Sequence, residues 1–141
     1  MYGEKMLIKI KLDKGAIEPT RAHPWDAGLD LYAMEDASVA DSCTFDTGVH
    51  VEIPEGWVGL IKSKSGLMVN HSITTDGTID AHYTGSIKVK LFNHGNIWYD
   101  VKAGDKIAQL VIVPCLLPRM ELVDSLEETD RGDNGFGSTG R

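Results

Sequence analysis

The sequence predicts an all-β domain, a sandwich or barrel of jelly-roll type, on three observations. Apolar and polar residues alternate in Ile8-Lys9-Ile10-Lys11-Leu12, Val49-His50-Val51-Glu52-Ile53 and Ile87-Lys88-Val89-Lys90-Leu91, a period of two that sets one face of each segment on a core. Turn signals rich in Gly, Asp, Asn and Pro separate short apolar runs. No window sustains a helical period over about ten residues, so many short strands joined by turns remain.

Taken in chain order, the strand at 8–12 closes on Asp13-Lys14-Gly15. Ala27-Gly28-Leu29-Asp30-Leu31-Tyr32-Ala33 places small and polar residues where strand ends and turns present functional groups. The strand at 49–53 turns at Pro54-Glu55-Gly56 into an apolar run at 57–61, and one or two helical turns fit 65–70. Asp76-Gly77 reads as a turn. Gly77-Thr78-Ile79-Asp80-Ala81-His82-Tyr83-Thr84-Gly85 reads as a glycine-bounded hairpin projecting Asp80 and Tyr83. The strand at 87–91 ends at Asn93-His94-Gly95-Asn96, and Ala103-Gly104-Asp105 leads into a last strand at 107–113.

The 141 residues match one domain. Lys and Arg number 14 against 21 Asp and Glu, a net charge of −7. That is the wrong sign for holding a nucleic acid polymer by its phosphates. Cys43 and Cys115 stand far apart without metal or redox spacing, and are expected to be idle or buried thiols. Lys5 and Lys9 interrupt the start before a signal-like apolar run can form, and the longest apolar stretch, 107–117, falls short of the ~20 residues of a bilayer span. A cytoplasmic protein without membrane segments is expected.

Composition changes after Ser125, giving an expected core at 1–125 and a flexible arm at 126–141. The arm carries Arg131, Phe136, Ser138 and Thr139 among glycines. Glycines let backbone N–H groups approach phosphate oxygens, hydroxyls add donors, arginine adds charge, and phenylalanine offers a face to a base. A dispensable disordered end is the plain alternative. Arg131-Gly132-Asp133 also spells an adhesion tripeptide, which would matter only outside the cell.

Two further segments carry chemistry. Lys62-Ser63-Lys64-Ser65-Gly66 interleaves cations with hydroxyls, suited to phosphate or simply a solvated basic turn. In Asp105-Lys106-Ile107-Ala108-Gln109-Leu110, Gln109 interrupts an apolar strand and, if buried, needs hydrogen-bond partners.

These segments and the arm, in this order from 27 to 140, resemble the five motifs of the trimeric dUTPase family. Ala27-Gly28-Leu29-Asp30-Leu31-Tyr32-Ala33, Gly77-x-Ile79-Asp80-x-x-Tyr83-x-Gly85 and Arg131-Gly132-x-x-Gly135-Phe136-Gly137-Ser138-Thr139-Gly140 carry the likeness most strongly. The resemblance implies a distorted jelly roll, a homotrimer with sites between subunits, and Mg²⁺-dependent hydrolysis of dUTP to dUMP and pyrophosphate. Backbone around Gly77, Thr78 and Ile79 would read uracil, and Lys88 would add a backbone contact. Tyr83 would stack under the sugar, and Asp80 would prime the attacking water.

Lys64, Ser65, Gly66 and Gln109 would meet phosphates and water in this resemblance. Asp30, by itself more readily a turn or surface carboxylate, would touch Mg²⁺ only through water. Arg131, Phe136, Gly137, Ser138 and Thr139 would close over the nucleotide. Two departures stand out: Lys64 replaces a usual arginine, leaving phosphate binding either weaker or compensated by Lys62, and Asp76 stands where a small residue is common. Alternatives are a dCTP deaminase-like enzyme of similar fold, or a nucleotide-regulated repressor-binding protein.

Overall fold

The structure is a computed structural model that describes residues 6–137 and 140. Eleven strands and one helix are present among them: β1 (Lys9–Leu12), β2 (Leu29–Tyr32), β3 (Ala37–Val39), β4 (Ser42–Asp46), β5 (Val49–Glu52), β6 (Trp57–Lys62), α1 (Ser65–His71), β7 (Ile73–Thr74), β8 (Asp76–Ile79), β9 (Lys88–Asn93), β10 (Tyr99–Val101) and β11 (Lys106–Pro114). They form a jelly roll of four antiparallel sheets, ordered β1-β5, β10-β3, β2-β11-β6-β8 and β4-β9-β7.

One apolar core joins all four sheets. Leu31, Ile61, Ile79 and Leu110 of the largest sheet meet Phe45, Val89 and Leu91 of the three-stranded sheet, with Val49, Val51, Val39 and Val101 from the two ribbons. Along β9 the burial alternates, Val89 and Leu91 inside and Lys88 and Lys90 outside. The alternation read at 49–53 and 87–91 is therefore core packing, whereas β1 lies exposed along its whole length, Ile10 and Leu12 included. Truncating a fully buried side chain such as Ile61 removes about 2–5 kcal/mol by lost transfer energy and cavity formation.

Three local expectations change. Asp76-Gly77 opens β8 instead of turning, because Lys62 and Ile61 of β6 pair with these residues. Residues 29–32 are the strand β2 itself and Asp30 is buried within it, so Asp30 is neither a turn nor a surface group. Finally, 77–85 is no hairpin: β8 pairs with β6, whereas β9 pairs with β4 and β7, so the intervening turn crosses from one sheet to another.

Both cysteines are free and half-buried. Among the described residues no helix is long and apolar enough to cross a membrane.

Candidate active site

The residues singled out in the sequence fall into two clusters and a tail. The first cluster lies where β2, β11 and β6 run side by side, and register aligns Asp30 with Gln109, Gln109 with Lys62, and Lys62 with Asp76 of β8. Cross-strand partners share a face, so one row collects these polar groups.

Asp30 is only 3% exposed. A carboxylate so placed needs a charge partner. Lys64 Nζ donates to Oδ1 at 2.5 Å, and Lys106 Nζ lies 3.3 Å from Oδ2. Lys64 follows the end of β6, and a bulge at the start of β11 sets Lys106 opposite Tyr32 but Ala108 opposite Leu31. Bulges re-aim side chains, and here Lys106 is directed at the acid.

Gln109 is half-buried, and its Nε2 donates to the Ser63 carbonyl at 2.9 Å. Its Oε1 occupies the space beside Gly28, where any Cβ would overlap it. Gly28 is therefore small so that Gln109 can lie across it. Asp26, Gly28, Asp30, Lys64 and Gln109 border a cavity of about 240 Å³. Ser65 and Gly66 begin α1 beside Lys64, both exposed, with open space in front of Gly66.

The second cluster is the crossing turn after β8. Buried Ile79 anchors it, while Gly77 and Thr78 run along the edge of the largest sheet. The Tyr83 N–H donates to the Asp80 carbonyl at 3.2 Å, and the Tyr83 hydroxyl donates to the Ser86 carbonyl at 2.9 Å. The phenol lies so close to Gly85 that a Cβ there would stand 2.5 Å from its oxygen. Glycine is required for this ring position. Asp80 is exposed, and no hydrogen bond or ion pair engages its carboxylate among the described residues.

Side chains tie this turn to the body. The Ser86 hydroxyl donates to Asp46 Oδ1, which also accepts the Gly48 N–H at 2.9 Å. Chiefly the Ser86 bond, then the Gly48 bond, holds the Asp46 carboxyl below its usual range. His82 Nε2 lies 2.8 Å from Glu55 Oε1, and His82 adopts φ 71°, left-handed backbone. Lys88, the first residue of β9, is exposed opposite Asp46.

The tail's described hydrogen bonds run between its own residues. Arg131 Nε donates to the Asn134 carbonyl at 2.7 Å, and Phe136 is wholly exposed. Gly137 has φ 99°. Ser138 and Thr139 lie outside the described residues. Among the described residues no group of three or more His, Cys, Asp or Glu side chains could hold a metal ion.

Sequence reading missed Lys106 and the Ser63 carbonyl. An acid flanked by leucines in a buried strand is a signal that a cation must come from a neighbouring strand. Which lysine supplies it depends on a bulge that no local pattern shows.

A jelly roll that presents lysines and an amide in one cluster and an unengaged carboxylate and a phenol in another is laid out as a nucleotide-hydrolysing enzyme. A model of the dUTPase family matches residues 14–140. The deoxyuridine 5'-triphosphate nucleotidohydrolase of Gloeothece citriformis is 45% identical, over 96% of this chain and 97% of that one. Its Clostridium acetobutylicum counterpart is 43% identical over 94% and 96%. A variant of the phage 80alpha dUTPase superposes with TM-score 0.87 at 32% identity, covering 95% of this chain and 99% of that one. Another 80alpha variant, solved with dUpNHpp, gives TM-score 0.84 at 30% identity, covering 96% and 99%. The chain belongs to the dUTPase family, and it is an enzyme that hydrolyses dUTP.

Proposed function

We propose that dUTP is cleaved to dUMP and pyrophosphate by a water that Asp80 orients and deprotonates for attack on the α-phosphorus. The observation that supports this is the unengaged Asp80 carboxylate on a turn anchored by Ile79 and braced by Tyr83. A carboxylate with a free lone pair on a fixed support can act as a general base.

Recognition follows from the edge position of β8. One side of its backbone pairs with β6, leaving groups around Gly77, Thr78 and Ile79 to meet uracil, with backbone near Lys88 completing the contact. Cytosine presents a donor where uracil presents an acceptor, and that mismatch leaves polar groups unpaired. The Tyr83 ring, fixed over Gly85, stacks beneath the deoxyribose and leaves no room for a 2′-hydroxyl. Lys64, Ser65, Gly66 and Gln109 receive the phosphates and help place the water. Arg131, Phe136, Gly137, Ser138 and Thr139 of the arm at 126–141 cover the nucleotide and exclude solvent.

The donor set suits a magnesium ion carried by the triphosphate, since the described residues offer no cage and Asp30 is held by two lysines. Mg²⁺ keeps several waters in such sites, so Asp30 would meet it only through water. The ion, when bound, supplies neutralisation of phosphate charge. A homotrimer agrees with the exposed Leu116, Met120 and Leu122 and with an apolar groove of about 600 Å³ lined by Ile8, Leu29, Trp57 and Ile112. The enzyme works on a free nucleotide in the cytoplasm, not on a nucleic acid polymer or at a membrane.

Product analysis with dUTP, dTTP, UTP and dCTP side by side, in Mg²⁺, tests this reading. Monophosphate and pyrophosphate from dUTP alone are expected. Ammonia release from dCTP, or equal cleavage of all four, overturns it.

A further inference from the structure

Beyond the groups facing the nucleotide, the crossing turn that carries Asp80 and Tyr83 is gripped from behind by a histidine outside every motif. His50, in the middle of β5, points Nδ1 at the Thr84 carbonyl, 2.7 Å away, and Nε2 at both oxygens of Asp13, each 3.0 Å away. A carbonyl and a carboxylate accept only, so making both contacts at once takes two ring donors, which only the imidazolium form supplies. Thr84 lies between Tyr83 and Gly85, whose contact sets the phenol.

We propose that His50 is a positioning residue for the dUTP site, holding the Asp80–Tyr83 turn in its binding geometry by bridging the Asp13 carboxylate to the Thr84 carbonyl. This inference rests on the nucleoside role given to that turn under the proposed function. His50 touches no substrate; it acts through the backbone of Thr84.

The charges facing the ring make this grip dependent on pH. Asp13, in the turn after β1, favours the cation, and Lys11, cross-strand partner of His50, opposes it. Lys9 and Glu52, further along the same ribbon, pair with each other at 3.9 Å. Asp46 on β4 feels the His50 charge, and Lys88, its cross-strand partner on β9, acts on Asp46 as well. Asp13 prevails through its hydrogen bond, followed by that to Thr84, and the His50 pKa is raised above its ordinary 6.5. With a raised value the bridge is complete at lower pH and is lost as pH rises through it.

The test is steady-state dUTP hydrolysis from about pH 5.5 to 9, a range that brackets an ordinary or raised histidine, by the wild type, His50→Gln and Asp13→Asn. Binding should weaken while chemistry is largely spared. The expected KM of the wild type rises roughly fivefold across the His50 titration, the scale of one hydrogen bond, with kcat changing much less. Asp13→Asn moves that rise to lower pH, and His50→Gln holds KM high and flat. A ¹H–¹³C NMR titration of the wild type, read at His50 Cε1, should show the same midpoint.

Identical KM–pH profiles in all three proteins, or an NMR midpoint below the ordinary histidine value, overturn the proposal even while dUTP is hydrolysed normally. Absence of dUTP hydrolysis in the wild type instead overturns the functional reading, and this inference with it. If His50→Gln does not fold, Asp13→Asn and the wild-type titration still decide.

Discussion

Asp30 and Lys64 meet across 2.5 Å, and the second oxygen of the same carboxylate faces Lys106 at 3.3 Å. Each oxygen thus has its own ammonium. A single arginine could serve both with its planar fork; lysine cannot. At Asp30, then, the second donor that a lysine at position 64 lacks comes from Lys106 at the start of β11. Lys64 remains about one-third exposed, so part of its surface still faces the cavity where phosphate is proposed to lie.

Replacing Lys64 with methionine leaves buried Asp30 with one cation. The expected cost is about 1–3 kcal/mol, below that of a fully desolvated pair because Lys106 and water remain near. Urea unfolding checks the loss, and the KM for dUTP should rise in parallel. Unchanged stability would mean that Lys106 alone satisfies the acid.

Gly28→Ala drives a methyl group into Gln109 Oε1. The amide end has room to swing into the cavity, so the fold survives while Gln109 leaves the Ser63 carbonyl. A kcat lower by about 10–100-fold with an almost unchanged Tm is expected, the scale of misplacing one positioning group. Rate assays and thermal melts on the same preparation separate the two effects.

Asp80→Asn keeps size and exposure but removes the base. Turnover should fall by roughly 10²–10⁴-fold. Calorimetric binding of a non-hydrolysable dUTP analogue should change little, because the backbone of β8 and the Tyr83 ring are untouched. Near-normal turnover would assign the base elsewhere.

Removing residues 126–141 deletes no member of the apolar core. The truncated chain should melt as the full one does and keep its oligomeric state by light scattering, yet lose about 10²-fold or more in kcat/KM as the covering groups disappear. Loss of assembly on truncation would give the arm a structural role instead.

Asp46 predicts an acid limb. Its carboxyl titrates lower when folded than when unfolded, so its contribution is present above the unfolded value and is lost as pH falls through the depressed one. Urea midpoints followed from about pH 6 to pH 2 should decline less steeply in Asp46→Asn than in the wild type. Equal slopes would show that the Ser86 bond adds nothing.

The sequence made the larger strands legible because β5, β6, β9 and β11 carry strong alternation or apolar runs, and the one or two helical turns read at 65–70 fall on α1. β3, β7 and β10, of two or three residues, gave no period to read. The Gly77–Gly85 glycines suggested a hairpin, but strand partners are chosen by distant residues, Lys62 for Asp76 and Asp46 for Lys88. Site residues within a motif were visible as residue types. His50 and Lys106 were not, since their roles come from a cross-strand position and a bulge.

The left-handed backbone at His82 limits what evolution or an engineer can place there. Glycine, asparagine, aspartate and histidine tolerate that region, whereas valine, isoleucine and threonine clash with their own main chain. A library randomised at this codon should be enriched, after selection for folded protein, in small or short polar side chains and emptied of branched ones.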